Sequence, residues 1–215
     1  HVKGIRRTPR ERTSAHNRNI SQGITEMQHP PQTQKLKKRS RRKAKANLEA
    51  AENAQKFWNQ ANEASSTHPY LVSKKVNAFG VKHNGQRLLI PLRDGDGKLW
   101  NLQQIFPNGK KRFLKNGKVK GLFHNIGEQT DVIYIGEGYA TMASVHAATG
   151  KASVVAFNAG NLKDVCSQVR SSYPDTEIVL CADDDHITKG NPGLTKAREA
   201  ALELSLIHIS EPTRL

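Results

Sequence analysis

The spacing of apolar residues changes character along the chain. From Asn47 to Ala64, Leu48, Ala51, Ala54, Phe57, Trp58 and Ala61 recur at three- and four-residue steps, which predicts an amphipathic helix. Ser65-Ser66-Thr67-His68-Pro69 ends it, and Tyr70 to Phe79 reads as a short helical connector. Between Arg87 and Ile126 the runs RLLIPLRD, KLWNLQQIF and RFLKNG predict strands. The turns between them, at Asp94-Gly95-Asp96-Gly97 and Pro107-Asn108-Gly109, use glycine's tolerance of positive φ. From Asp131 onward VIYIG predicts a strand, Tyr139 to Thr149 a small-residue helix, and ASVVAFN a second strand. A helix follows over Leu162 to Ser172, with Leu162, Val165, Cys166 and Val169 on one face. EIVLCAD is a third strand, and Gly193 to Leu204 a helix opening after Asn191-Pro192. Continuous apolar strands alternating with helices indicate an α/β class: a parallel sheet with helices on both faces, behind a small β-rich subdomain.

Composition adds a division that hydropathy does not show. The net charge is +15, but residues 1–47 hold fourteen Lys or Arg against two acids, leaving twenty against seventeen over the remainder. The body is near neutral and the basic character belongs to the N-terminal region. Its densest part, Lys35 to Lys45, is poor in apolar residues and is expected to be disordered. Such a segment attracts polyanions by counterion release, or is simply a solvated linker. The expected organisation is 1–46 basic disordered tail, 47–66 amphipathic helix, 67–128 β-rich subdomain, 129–204 α/β domain and 205–215 a tail of other origin.

Cys166 and Cys181 lie far apart in apolar settings, without a CxxC pair, and are expected to be buried thiols of a reducing compartment rather than a zinc site or disulfide. No apolar run approaches the ~18 residues of a membrane span, so the expected location is the cytoplasm. The chain does not start with Met, which reads as a fragment or a processed product.

The chemistry concentrates where apolar strands stop at carboxylates. Glu137, between Gly136 and Gly138, follows VIYIG directly, and the flanking glycines would let the backbone turn sharply and a phosphate approach. A surface glutamate in a βα turn is the competing reading. Asp183-Asp184-Asp185 follows the third strand. Three adjacent carboxylates repel one another unless a cation compensates them, and alternation leaves Asp183 and Asp185 on one side to share it. An acidic cap for the next helix is the alternative. Both clusters stand at C-terminal strand ends, where open α/β sheets bind ligands, and an all-oxygen set suits Mg²⁺.

The runs GEGYATMASVHAATG, SVVAFNAGNL and EIVLCADDD…NPGLTKAREAA resemble the Toprim domain of phage- and plasmid-type DNA primases. RLLIPLRDGDGKLWNLQQIFPNGKKRFLKNGKVKGLFHNI looks like the strand-rich subdomain preceding Toprim in bacterial-type primases, and HPYLVSKKV like the lead-in of the plasmid-type proteins. The resemblance covers Arg87 to Leu204. It implies a nucleotidyltransferase that synthesises RNA primers on a single-stranded DNA template from ribonucleoside triphosphates, with Mg²⁺ or Mn²⁺, in replication of a phage, plasmid or other mobile element, with a replicative helicase as a further partner. By position Glu137 matches the family's catalytic glutamate, and Asp183 and Asp185 its metal-binding Asp-x-Asp. Arg112 stands where the family has a basic residue that contacts nucleotide or template; Lys111, Arg87 and Arg93 are further candidates, with Gly136 and Gly138 lining the site. A solvated hairpin face is the bland reading of these bases.

The chain departs from the bacterial-type primases at Leu102-Gln103-Gln104, which replaces a Gly-Gly-Arg stretch, whereas Asn158-Ala159-Gly160-Asn161 resembles the plasmid-type version and could line the site through backbone N–H groups or form a plain turn. Ser205 to Leu215 is similar to translated sequencing-adapter read-through, so a Toprim sheet cut after the helix ending near Leu204 is expected. Two other classes share these motifs: a Toprim-type nuclease or topoisomerase, for which no GxxxxGK[ST] loop is present, and a nucleic-acid-binding module with a degenerate site.

Overall fold

The computed structural model describes residues 31–182, 192–204 and 207–209. The chain divides into two units, residues 1–38 and 39–215. In the first unit the described residues are the opening turns of helix α1 (Pro31–Gln60).

Helix α1 differs from the expected disordered tail and from a helix of 47–66. It includes the whole run Lys35–Lys45 and stops at Gln60. After Pro31, suited to a first helical position, the segment has no Gly or Pro and is rich in Lys, Arg, Ala and Gln, which are strong helix formers. Charge, which argued for disorder, did not override propensity. At the other end, Asn62–Glu63 forms β1, which pairs antiparallel with β2 (Lys82–Asn84), with Lys82 and Glu63 3.4 Å apart. Nothing in the dipeptide itself signals a strand; the partner recruits it.

After β1, α2 (Pro69–Lys74) begins at His68, whose ring accepts from the Tyr70 N–H at 3.3 Å while Nε2–H donates to the Gln86 carbonyl at 3.1 Å. Then β3 (Arg87–Arg93), β4 (Leu99–Ile105) and β5 (Lys111–Phe113) complete an antiparallel sheet in the order β1-β2-β3-β4-β5. The β3–β4 turn closes with Asp94 N–H to Lys98 O and Gly97 N–H to Asp94 O. Of its two glycines only Gly97, at φ +81°, uses the left-handed region.

The second sheet contains β6 (His124–Ile126), β7 (Val132–Gly136), β8 (Ala152–Val155), β9 (Glu177–Cys181) and β10 (Ile207–Ile209), in the order β10-β9-β7-β8-β6. Strands β10, β9, β7 and β8 are parallel; β6 runs antiparallel to β8. Residues 124–126, expected to close the upstream block, thus hydrogen-bond into the second sheet. The sheet expected to stop at its third parallel strand gains β10, which pairs parallel with the edge of β9.

Between the strands lie α3 (Tyr139–Thr149), α4 (Leu162–Ser172) and α5 (Pro192–Leu204). Alternation decides which face each strand residue covers. Ile133, Ile135, Val154, Ile178 and Leu180 pack with Leu162, Val165 and Val169 of α4 and with Ala197, Ala200 and Ala201 of α5. On the other face Tyr134, Val155 and Cys181 meet Tyr139, Met142 and Ala143 of α3, and this core continues into Leu88, Ile90, Leu92 and Ile105 of the antiparallel sheet. The expected helical cover is therefore present on both faces, with the upstream sheet sharing one of them. The outer face of the antiparallel sheet carries α1, through Ala54, Trp58 and Ala61 on Leu89, Leu99 and Leu102. Each fully buried Leu or Ile contributes about 1.5–3 kcal/mol, so the shared core joins the two sheets into one cooperative body.

Candidate active site at the ends of the parallel strands

Glu137 leaves β7 at its C-terminal end and stands two residues before α3. In the ladder Gly136 pairs with Cys181 on one side and Val155 on the other, so Glu137 lies between the exits of β8 and β9. The chain leaves β9 at Cys181 through buried Ala182, and the next residue is Asp183. Asp183, Asp184 and Asp185 lie outside the described residues. Strand order alone puts their point of departure beside that of Glu137, since β7 and β9 are parallel neighbours. Among the described residues no three His, Cys, Asp or Glu converge.

The reason for the glycines differs from the expected one. Neither Gly136 nor Gly138 has a positive φ. A Cβ on Gly136 would run into the Met142 sulfur and lie 3.0 Å from the Cys181 carbonyl, so this glycine lets α3 and β9 close on the end of β7. Gly138 is the N-cap of α3, extended at φ −100°, without a side-chain cap bond. A Cβ there would be 3.4 Å from Thr141 Oγ1, an ordinary contact. One glycine serves packing, and the other starts α3 without a side-chain cap.

Two features that sequence reading missed hold this edge. Tyr139, fully buried, accepts from the Phe79 N–H at 2.8 Å and donates to the Asn77 carbonyl at 3.1 Å, which anchors the start of α3 to the connector before β2. Burial pushes its phenol up to about 12, so it stays a donor. The connector is also held by His124, whose Nε2–H donates to Phe79 O at 3.0 Å, and by His146, edge-on to Phe79 at 4.8 Å. The second feature is Asn161. Its amide donates to the carbonyls of Leu122 and Ala156, both at 2.9 Å, and accepts from the Gly121 N–H at 2.7 Å. The 158–161 segment is thus a 3₁₀ turn (Ala159–Asn161) whose last side chain ties the exit of β8 to the approach of β6. Between them Phe157 takes φ +72°, an uncommon conformation for an aromatic residue, and its ring meets Phe113 of β5 at 6.0 Å.

Burial of His124 drives its pKa down to about 4, with the Arg93 charge adding to the effect. Unfolded, the ring titrates near 6.5, so between roughly pH 6.5 and 4 the unfolded chain binds a proton that the folded one refuses. Stability is full above that window and falls as pH drops through it, by about 3 kcal/mol in all. Urea denaturation at pH 7 and pH 4.5 should show this slope, and His124→Gln, which keeps an N–H for Phe79, should flatten it.

The candidate bases are dispersed. Arg112 pairs with Gln104 in the ladder, and Arg87 donates to the Gln104 side chain at 2.9 Å, so these three share the outer face of the antiparallel sheet. Phe113 and Lys111 alternate onto the opposite face, where Phe113 brings β5 against the β8 exit. Arg93 donates to the Gly97 carbonyl at 2.8 Å and stands 5.7 Å from the Trp58 ring centre. Cys166 is buried, with its thiol pushed up to about 12, and Cys181 is half-buried. No helix among the described residues is long and apolar enough to cross a membrane.

A family model described as the Toprim domain matches residues 132–212. Two Escherichia coli proteins named DNA primase TraC are 42% and 41% identical to the chain over 145 residues, 62% of its length. The chain spans only 14% and 10% of these relatives. The solved DnaG primase catalytic domain bound to ssDNA shares the fold, with a TM-score of 0.51 at 14% identity over 81% of this chain and 73% of that one. Strand order, the glutamate at the end of β7 and these matches agree: residues 132–212 are similar to the Toprim domain, in a chain similar over 145 residues to proteins named DNA primase TraC.

Proposed function

We propose that the chain carries the catalytic part of a DNA primase, a nucleotidyltransferase that makes RNA primers on single-stranded DNA for a plasmid, phage or similar element. The observation that carries this is the juxtaposition of Glu137, at the exit of β7, with the neighbouring strand that leads directly into Asp183-Asp184-Asp185. Homology over 145 residues to a DNA primase makes polymerisation the favoured use of that edge.

The donor set is all carboxylate, which fits Mg²⁺ or Mn²⁺, with Asp183 and Asp185 as ligands. A divalent ion there would hold the triphosphate and lower the pKa of the attacking 3′-hydroxyl. The chain's own residues do the rest. Glu137 takes up the proton of the 3′-hydroxyl as its oxygen bonds to the α-phosphorus and the α–β phosphoanhydride bond breaks, releasing pyrophosphate. Gly136 and the Tyr139 anchor fix where its carboxylate stands. The uncapped amides of α3 offer partial positive charge to a phosphate. Arg112, Lys111 and Arg87, on the antiparallel sheet, supply counter-charge for template and nucleotide. A helicase partner fits this role.

Primer synthesis on a single-stranded template tests the reading directly. Asp183→Asn and Asp185→Asn proteins that keep the wild-type circular dichroism should make no primers; undiminished synthesis in both would overturn it. Nicking of DNA without nucleotides would assign the site to cleavage instead.

A further inference from the structure

Phe79 has both of its backbone polar groups taken by side chains of the other sheet and its helices. Its N–H donates to the Tyr139 hydroxyl at 2.8 Å, and its carbonyl accepts from His124 Nε2–H at 3.0 Å. The Tyr139 O–H passes on to the Asn77 carbonyl at 3.1 Å, and the two gripping rings lie 6.0 Å apart. Gly80 follows at φ +60°, and a Cβ there would stand 3.1 Å from His124 Cε1, so the chain passes close against the imidazole.

His124 stands level with the catalytic edge. The ladder aligns His124 with Val155, Val155 with Gly136 and Gly136 with Cys181, and Glu137 is the residue after that row. Two strand spacings, about 10 Å, separate His124 from Gly136. Its ring lies on the face of Val155 and Cys181, where it meets Tyr139, two residues beyond Glu137. The preceding residue fixes its place: Phe123 exchanges both backbone bonds with Arg93 at the end of β3, each 2.9 Å long. A buried imidazole is a costly filling for this position. An apolar side chain would fill the space more cheaply but leave the Phe79 carbonyl unpaired.

We infer that His124 is a positioning residue for the chemistry of Glu137. By fixing Phe79 it fixes the Tyr139 hydroxyl, and with it the first turn of α3, into which Glu137 leads. This role rests on the catalytic reading of Glu137 proposed above, and His124 itself need touch neither nucleotide nor metal. Misplacing a reacting group by about 1 Å can cost about 10²-fold in rate, so a bond lost behind the carboxylate is felt in turnover.

Steady-state primer synthesis and amide hydrogen exchange test this on His124→Leu, on His124→Gln and on Tyr139→Phe, which keeps the ring and removes both hydroxyl bonds. His124→Leu should lower kcat by about 10- to 100-fold, with KM for nucleotides within about twofold of wild type. It should also speed exchange at Met142, whose N–H bonds to the Gly138 carbonyl in the first turn of α3. His124→Gln, whose amide can reach the Phe79 carbonyl, should recover most of both. Tyr139→Phe should reproduce the loss, and the double variant His124→Leu/Tyr139→Phe should be no slower than Tyr139→Phe alone, because both act on one linkage. Full turnover in His124→Leu, no recovery in a folded His124→Gln, or additive losses in the double variant would each overturn the role. If His124→Leu does not fold, full turnover in Tyr139→Phe overturns it equally. A wild-type protein that makes no primers would defeat the catalytic reading instead. Exchange at Met142 would then decide alone, and equal rates in wild type and variants would show that His124 does not hold this turn.

Discussion

Glu137→Gln is expected to lower primer synthesis by about 10²–10⁴-fold, the range associated with loss of a general acid–base group. The substitution keeps the shape and length of the side chain, removes the charge and the basicity, and turns one acceptor oxygen into an N–H donor. The surrounding structure gives no reason for it to unfold. Gly136 keeps its contacts with Met142 and Cys181, and Tyr139 keeps its bonds to Phe79 and Asn77. The thermal midpoint should therefore stay within about 4 °C of wild type, equivalent to a change of no more than about 1 kcal/mol. A protein equally inactive but grossly destabilised would give the glutamate a structural role, and one that is fully active would remove it from the chemistry. Template binding offers a second readout. A catalytic glutamate leaves the affinity for single-stranded DNA unchanged, because its contribution is made in the transition state.

Asn161→Leu should cost about 3–5 kcal/mol, the largest stability effect expected from one residue. The leucine matches the amide in bulk but offers neither donor nor acceptor. Three buried backbone groups lose their partner at once: the Gly121 N–H and the carbonyls of Leu122 and Ala156. Each buried group left unsatisfied costs about 1–3 kcal/mol, partly recovered by relaxation or an inserted water. The loss falls at the junction of β8 and the segment entering β6, beside the left-handed Phe157. Chemical denaturation should show a lower midpoint at unchanged slope. Asn161→Asp restores acceptors but not the two donated bonds, and should lie between. If Asn161→Leu is as stable as wild type, the amide is not the tie described here.

Much of the α/β half could be read in advance for a physical reason. Strands β7, β8 and β9 are buried on both faces, so their composition is apolar throughout, and α4 shows its buried stripe in Leu162, Val165, Cys166 and Val169. Local sequence and tertiary environment ask for the same residues there. Where they diverge, sequence reading was incomplete. The charge of residues 35–45 predicts disorder, yet helix propensity over a Gly-free run extends α1 through them. Asn62–Glu63 becomes a strand only because Lys82–Asn84 lies alongside. His124 to Ile126 changes sheet because β8 offers the free edge. The same holds within the site. A glutamate at a strand end is visible as a motif, but the bonds of Tyr139 and Asn161 reach 60 and 40 residues away and leave no local pattern.

By itself, then, the sequence determined the order of elements in the α/β half, the carboxylates at its strand ends and the concentration of cations upstream, since each depends on composition and on neighbours within a few positions. Only the tertiary structure decided that β7 and β9 are adjacent, so that Glu137 and the segment beginning at Asp183 leave the sheet side by side. It also decided that Gly136 is demanded by α3 and β9 rather than by a turn. These are relations between residues far apart in the chain. They arise when a shared core repays the entropy of bringing distant segments together, and no local spacing encodes them.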